Sequence, residues 1–190
     1  LESTGGAVIR TDNGDLSQES LIKFDGCSFV GGNTYLHIRN GELRFEHCFI
    51  EAGGDPAFFV ENVVELFYCS IKKRASGSSC TVFSHILGGN YEKVNSINYC
   101  RIDLTGTTTG TLITGVGNPN WSIMYSDIQN WRTNPENVSF SNVIGNQIQI
   151  ETNQTFGIYE GYSICLLAMN YFFVVGTGKI VAEQEMMGWV

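Results

Sequence analysis

Cysteine has the most readily assigned chemistry in this chain, since a thiolate is both a nucleophile and a metal ligand. Four of the six cysteines sit in recurring surroundings: "FDGCSF" at Cys27, "FEHCFI" at Cys48, "LFYCSI" at Cys69 and "INYCRI" at Cys100. None belongs to a Cys-x-x-Cys pair, and His37, His47 and His85 do not stand beside paired cysteines. The spacing matches no zinc-site pattern, so no metal is expected. A free cysteine otherwise behaves as a small apolar core residue, and that is the reading this repetition favours. Cys80 and Cys165 lie outside the recurring segments, and nothing in the sequence decides their state.

Two other residue types could do chemistry. Asp25 and Glu46 occupy the same place in successive copies of the motif. Glycoside hydrolysis takes two carboxylates, about 5–5.5 Å apart for retention and about 6.5–9.5 Å for inversion. Asp25 and Glu46 are the candidate catalytic pair on that ground. Acids are common at solvated bends, though, and Asp55, Glu65 and Asp103 add no recognisable partner. The residue before each cysteine reads Gly26, His47, Tyr68, Tyr99, and then Tyr125 and Phe140 in two looser copies. An outward aromatic strip can stiffen a corner, bury itself against a neighbouring subunit, or offer apolar surface to sugar rings. His47, Tyr68, Tyr99 and Tyr125 are therefore the candidate ligand-binding residues. No cofactor is expected.

The elements that would position these residues follow from the shared pattern: apolar, any, apolar, two residues, Cys or Ser, any, apolar. "WSIMYSDI" at Ser126 and "ENVSFSNV" at Ser141 fit the frame with serine for cysteine. Each flank alternates with period two, which marks a short strand with one buried face. The two residues between the flanks break that alternation and mark a tight bend. Successive Cys or Ser positions lie 21, 21, 31, 26 and 15 residues apart. One turn of a three-strand coil takes roughly 20–25 residues, with loop insertions in the longer intervals. The fold class expected is all-β, a right-handed parallel β-helix, with rungs about 4.8 Å apart. A doubly wound α/β fold would need amphipathic helices that the glycine-rich linkers cannot hold. An antiparallel jelly roll would not repeat one motif at every turn. In the coil, Cys27, Cys48, Cys69, Cys100, Ser126 and Ser141 form an inward ladder, while Arg101 and Asp127 become neighbours outside.

Composition agrees with an all-β chain: 22 glycines, 3 prolines and little charge, at 16%, in 190 residues. The formal net charge of −8 disfavours nucleic-acid binding, and Lys72-Lys73-Arg74 is too small a cluster to reverse that. No apolar run reaches the eighteen or so residues of a membrane span, so no membrane insertion is expected. The opening "LESTGG" has no Met and no basic leader, and reads as part of a longer or processed protein. Sequons at Asn120, Asn137 and Asn153 carry little weight in a chain this rich in Asn, Ser and Thr.

The motif is expected to stop near Ile150, dividing the chain into a coil at 1–150 and a C-terminal segment at 151–190. There "YFFVV", "GTG" and "KIVAE" suggest a hairpin whose strands are too apolar for a solvated edge. Such a segment is either a cap on the last rung or an oligomerisation clamp.

The segments "FDGCSF", "FEHCFI" and "FYCSI" resemble the right-handed β-helix of the pectin-lyase-like superfamily. Among its members the chain looks most like a bacteriophage tailspike or tail-fibre segment, a resemblance covering about Val8 to Ile150. That resemblance implies a homotrimer on the phage tail, in an extracellular virion, binding host cell-surface polysaccharide and in many members cleaving it. The chain departs from the enzymatic members in its shortness and its lack of a convincing acidic pair. It also lacks the clustered aspartates, with Lys or Arg, of a calcium-dependent lyase. Attachment is thus favoured over depolymerisation, and a purely structural trimeric shaft is the third expectation.

Overall fold

A computed structural model of the chain describes residues 7–10, 21–31, 34–38, 42–53, 58–60, 63–74, 81–86, 94–106, 111–116, 120–131, 139–159 and 166–183. These form a parallel β-helix with three sides. Sheet one stacks Ala7–Arg10, Thr34–Ile38, Phe58–Val60, Phe83–Ile86 and Ile113–Val116. Sheet two begins with Leu21–Asp25, Glu42–Glu46, Val64–Phe67 and Asn95–Asn98, and continues with Asn120–Met124, Ser139–Ile144 and Leu166–Ala168. Sheet three begins with Ser28–Phe29, Phe49–Ala52, Ser70–Lys73 and Arg101–Asp103, and continues with Asp127–Gln129, Gln147–Ile150 and Tyr171–Val174. A further pair, Thr155–Tyr159 with Lys179–Glu183, follows sheet three in chain order, where sheet-one strands stand elsewhere. All pairings are parallel.

Register turns the sequence pattern into columns. Phe24 pairs with Phe45, Phe45 with Leu66, Leu66 with Ile97 and Ile97 with Ile123. Across the bend, Phe29, Ile50, Ile71, Ile102, Ile128 and Ile148 form a second column, each wholly buried. β-branched side chains suit this place because they pack on a pleated surface with few rotamers to lose. Phenylalanines fill the first rungs, with Phe24 stacked on Phe45 at 5.3 Å and Phe58 on Phe83 at 5.4 Å. Further along, Trp131 meets Phe156 at 4.9 Å.

Three expectations need correction. A register shift between Trp121 and Ser122 pairs Trp121 with Phe140 but Ser122 with Asn142. Ser141 is the extra residue of that bulge, so the copy centred on it was placed too early. The residues at the bend are Gly145 and Asn146, whereas Phe140 is buried against Trp131 and Phe156. Nor does the motif stop near Ile150. Val143 pairs with Leu167 and Ile148 with Phe172, so "LLAMNYF" is one more copy, with Asn170 at the cysteine position. "YFFVV" and "KIVAE" join separate parallel pairs and form no hairpin.

Candidate functional site

The corner between sheets two and three is built the same way in every described rung. Its second residue adopts a left-handed backbone: Gly26, His47, Tyr68, Tyr99, Tyr125, Gly145 and Met169, with φ between 52° and 67°. That reversal lets the chain turn without leaving the ladder. Tyr68 N–H donates to Asn98 carbonyl at 3.1 Å and, past the corner, Ser70 N–H donates to Cys48 carbonyl at 2.9 Å. It also turns two backbone groups inward, where neither can reach a strand. These are the N–H of the third corner residue and the C=O three residues before it.

In the inward ladder the asparagines satisfy both groups from the next rung. The serine and the thiols also donate to a carbonyl of their own rung, as Cys48 does to Glu46 at 3.2 Å and Cys69 to Phe67 at 3.3 Å. Asn146 accepts the N–H of Ser126 at 2.9 Å and donates to the carbonyl of Ile123 at 2.8 Å. Asn170 repeats this toward Asn146 N–H, at 3.0 Å, and Val143 carbonyl, at 2.7 Å. Ser126 takes the N–H of Cys100 at 3.1 Å and donates to Met124 carbonyl at 3.0 Å. The thiols do the same more loosely, Cys48 donating to Phe24 carbonyl at 3.5 Å and Cys69 to Phe45 carbonyl at 3.4 Å. Cys27, Cys48, Cys69 and Cys100 are free. Burial pushes the Cys48 thiol up to about 11. The hydrogen bond shared with Cys100, and then burial, push Cys69 up as well. The same hydrogen bond holds the Cys100 thiol lower. Cys48 and Cys69, raised and buried, are poor nucleophiles and poor ligands at neutral pH.

One residue earlier, the side chains point out and stack. His47 lies 5.5 Å from Tyr68 with planes 7° apart, Tyr68 5.1 Å from Tyr99 at 12°, and Tyr99 5.2 Å from Tyr125 at 14°. Nearly parallel rings with centroids this far apart are slipped stacks, each ring overlapping only part of the next. The tyrosines remain 57%, 49% and 47% exposed in that order. The strip is closed at each end. Asp25 Oδ1 meets His47 Nδ1 at 3.1 Å, and the Tyr125 ring covers Gly145, where an added Cβ would lie 2.6 Å from Cδ1. All four predicted ligand-binding residues are therefore brought together.

The two predicted catalytic acids are also brought together, Asp25 opposite Glu46. One oxygen of each and a His47 nitrogen lie within 4.8 Å of one another. Lys23 Nζ sits between the acids, 2.7 Å from Glu46 and 3.9 Å from Asp25. A lysine so placed pairs with the carboxylates, Glu46 above all, as an exposed ion pair. On the far side of the corner Arg101 reaches Asp127 at 4.0 Å, an exposed pair of little value to stability.

No family model, curated protein or solved structure matches the chain. The site therefore has to be judged on its own geometry. Sequence reasoning missed Asn146 and Asn170, although "IGNQI" and "AMNYF" repeat the spacing of "DGCSF". It also missed the left-handed backbone, for which Gly26 at the head of the column was the available signal. Cys80 and Cys165 lie outside the described residues.

Proposed function

We propose that this chain is a segment of a trimeric fibre or spike of the phage-tail type, binding host surface polysaccharide along the aromatic corner. The observation that carries this reading is the left-handed backbone beneath exposed rings. A non-glycine residue held there costs on the order of 1–3 kcal/mol, and glycine fills the same place at 26 and 145. Four such residues cost about 4–12 kcal/mol, while the three stacks between them return only about 0.5–1.5 kcal/mol each. Over most of these ranges packing alone does not account for the rings. A sugar's apolar face against ring surface, with the tyrosine hydroxyls accepting and donating to its hydroxyls, would.

Association of copies has separate support. Outward positions on sheet three are polar or charged in the middle rungs, as at Arg101, Asp127 and Gln147. In the last described rung they become Tyr171 and Phe173, 69% and 57% exposed. Apolar outward residues clustered in one rung are a surface that calls for a partner, and a trimer supplies it. The mass in solution tests this: three chains support the reading and a clean monomer overturns it.

Binding is tested on a glycan array with the Tyr68→Ala/Tyr99→Ala/Tyr125→Ala variant. Loss of binding with the mass and β-signal intact supports the assignment; unchanged binding removes it. Depolymerisation, carried by Asp25 and Glu46, would show as new reducing ends on incubation with host polysaccharide. The lysine between the acids argues against it.

A further inference from the structure

The two ends of the coil differ from its middle and match one another. Val143, Ile148, Ile150 and Phe156 occupy inward columns and are wholly buried. One rung later the same columns hold Leu167, Phe172, Val174 and Ile180. Leu167, Val174 and Ile180 are 42%, 44% and 47% exposed, and Phe172 is only partly buried. The interior of the coil thus opens to solvent at this end. Terminal repeats of a solenoid normally carry a polar outer face, and a free strand edge is a template for the next strand. Backbone groups here are unmet as well. Asn170 N–H and Leu167 C=O correspond to the pair that Asn170 itself meets one rung earlier, at Asn146 and Val143. Met169 N–H corresponds to Gly145 N–H, which donates to Ala168 carbonyl at 2.9 Å. No described residue meets these three groups.

The first end offers what the last end lacks. Ile22 and Phe24 point inward there and are only partly buried. Cys27 donates to Asp25 carbonyl in its own rung at 3.5 Å, whereas Cys48 and Cys69 also reach a carbonyl of the rung before. Gly26 has nothing within 4 Å of where a Cβ would stand, while Gly145 at the same corner lies under the Tyr125 ring. Met169, at that corner in the last described rung, is 70% exposed and has no following corner to lie on. We propose that the open last rung takes the first rung of a second copy of this chain, so that the coil runs on from one molecule into the next. Phe24 then follows Leu167 and Phe29 follows Phe172 in their columns, the Cys27 thiol faces Leu167 carbonyl, and Met169 lies over Gly26. The contact continues the rung-on-rung interface that already joins the seven strands of sheet two. All strands of a parallel coil point one way, so a last end fits a first end alone. Such head-to-tail contacts leave a free end at each side and extend into filaments. This contact is separate from the lateral one proposed above, which uses the outward side chains of Tyr171 and Phe173.

Sedimentation over a wide concentration range tests this with two variants. Ile22→Lys blocks the first end and Leu167→Lys the last. Both positions open at an end, so the lysine stem can carry its charge to water and the β-signal should be kept. The parent should grow in whole steps as concentration rises, whether its unit is one chain or three. Each variant alone should stay a single unit. Mixed, the sound last end of Ile22→Lys should join the sound first end of Leu167→Lys, doubling the mass with no growth beyond that pair. Met169→Glu, which lies outside the core, is a second block of the last end, since its charge would face Asp25 and Glu46 of the next copy. It should halt growth in the same way. A parent that does not grow at any concentration means that another part of the chain covers the last rung, and overturns the proposal. Growth of a blocked variant alone, or a mixture that stays at single units, overturns it too. Tyr171→Lys/Phe173→Lys should remove the lateral trimer and leave the stepwise growth, so the two contacts fail separately.

Discussion

Tyr68 and Cys69 are consecutive residues, yet the tyrosine is 57% exposed and the cysteine 2%. The same contrast recurs at Tyr99 and Cys100 and at Tyr125 and Ser126, so one corner carries two ladders facing opposite ways. The inner ladder has a defined task, to meet one N–H and one C=O that the corner turns inward. An amide meets both, the Ser126 hydroxyl meets the N–H, and the Cys48 and Cys69 thiols reach the C=O, which is why Asn, Ser and Cys share the column. The outer ladder has no such task. Its backbone is most relaxed with glycine, and every ring there is held against a local preference. A residue type explained by the corner is structural; one that opposes the corner calls for a cause outside it.

The comparison breaks most severely on the inner side. Asn146→Leu removes the acceptor for Ser126 N–H and the donor to Ile123 carbonyl, both inside the coil. Two buried groups left unpaired cost about 2–5 kcal/mol together. Chemical denaturation should show a lowered midpoint at unchanged slope. A loss under 1 kcal/mol would mean that water or another side chain meets the corner, and the task assigned to the ladder would be wrong. Asn146→Ser should recover part of the loss, as Ser126 does one rung earlier.

Gly145→Ala acts where the two ladders meet the end of the strip. The added Cβ stands at φ 67° and 2.6 Å from the Tyr125 ring, so the ring must swing aside. The expected loss is about 1–3 kcal/mol, with Tyr125 fluorescence or ring-proton shifts reporting the lost stack. Gly26→Ala has a similar φ of 63° but nothing within 4 Å, so it should lose only the backbone part. Equal losses at the two glycines would show that the ring contact is unimportant.

The outer ladder is best sharpened by substituting one residue in two ways. Tyr99→Ala removes two stacks and keeps the strained backbone, whereas Tyr99→Gly removes the stacks and the strain together. The glycine variant should be the more stable of the two by about 1 kcal/mol, and close to the parent. At an ordinary strand position the order would be reversed. Glycan binding should fall equally in both, since the ring is absent from each.

How much of this was readable beforehand differs between the two ladders. The coil was legible because strand alternation and bend recur together at Cys27, Cys48, Cys69 and Cys100. The outer strip was legible as a row of aromatics once those cysteines were aligned. Hidden from the sequence were the bulge at Ser141, since an extra residue leaves no compositional trace, and the equivalence of Asn with Cys. A frame of Cys or Ser, two small residues, has no place for the larger Asn146 and Asn170. Hydrogen-bonding capacity, not hydropathy, is what the column selects. The stop expected at Ile150 followed from the same omission.

The smallest effect expected is on the cysteines and appears as a pH dependence. With the folded Cys48 thiol at about 11 and its ordinary value at 9.0, the unfolded chain gives up this proton before the folded one does. Between those values the unfolded state binds fewer protons, so stability falls as pH rises and is fully present below about pH 9. Cys69 is shifted up and its partner Cys100 down by the hydrogen bond they share, so these two work in opposite senses and the dependence is read at Cys48. The comparison is between the parent and Cys48→Ser, which differ in this group alone. The denaturation midpoint should decline more steeply in the parent above pH 9, with the two chains nearly equal at pH 7. Alkylation at pH 8, mapped by mass spectrometry, should leave Cys48 and Cys69 unmodified in the folded chain and label both in denaturant. Identical slopes, or labelling of the folded chain, would make these thiols accessible thiolates, and cysteine chemistry would again be a candidate function of the corner.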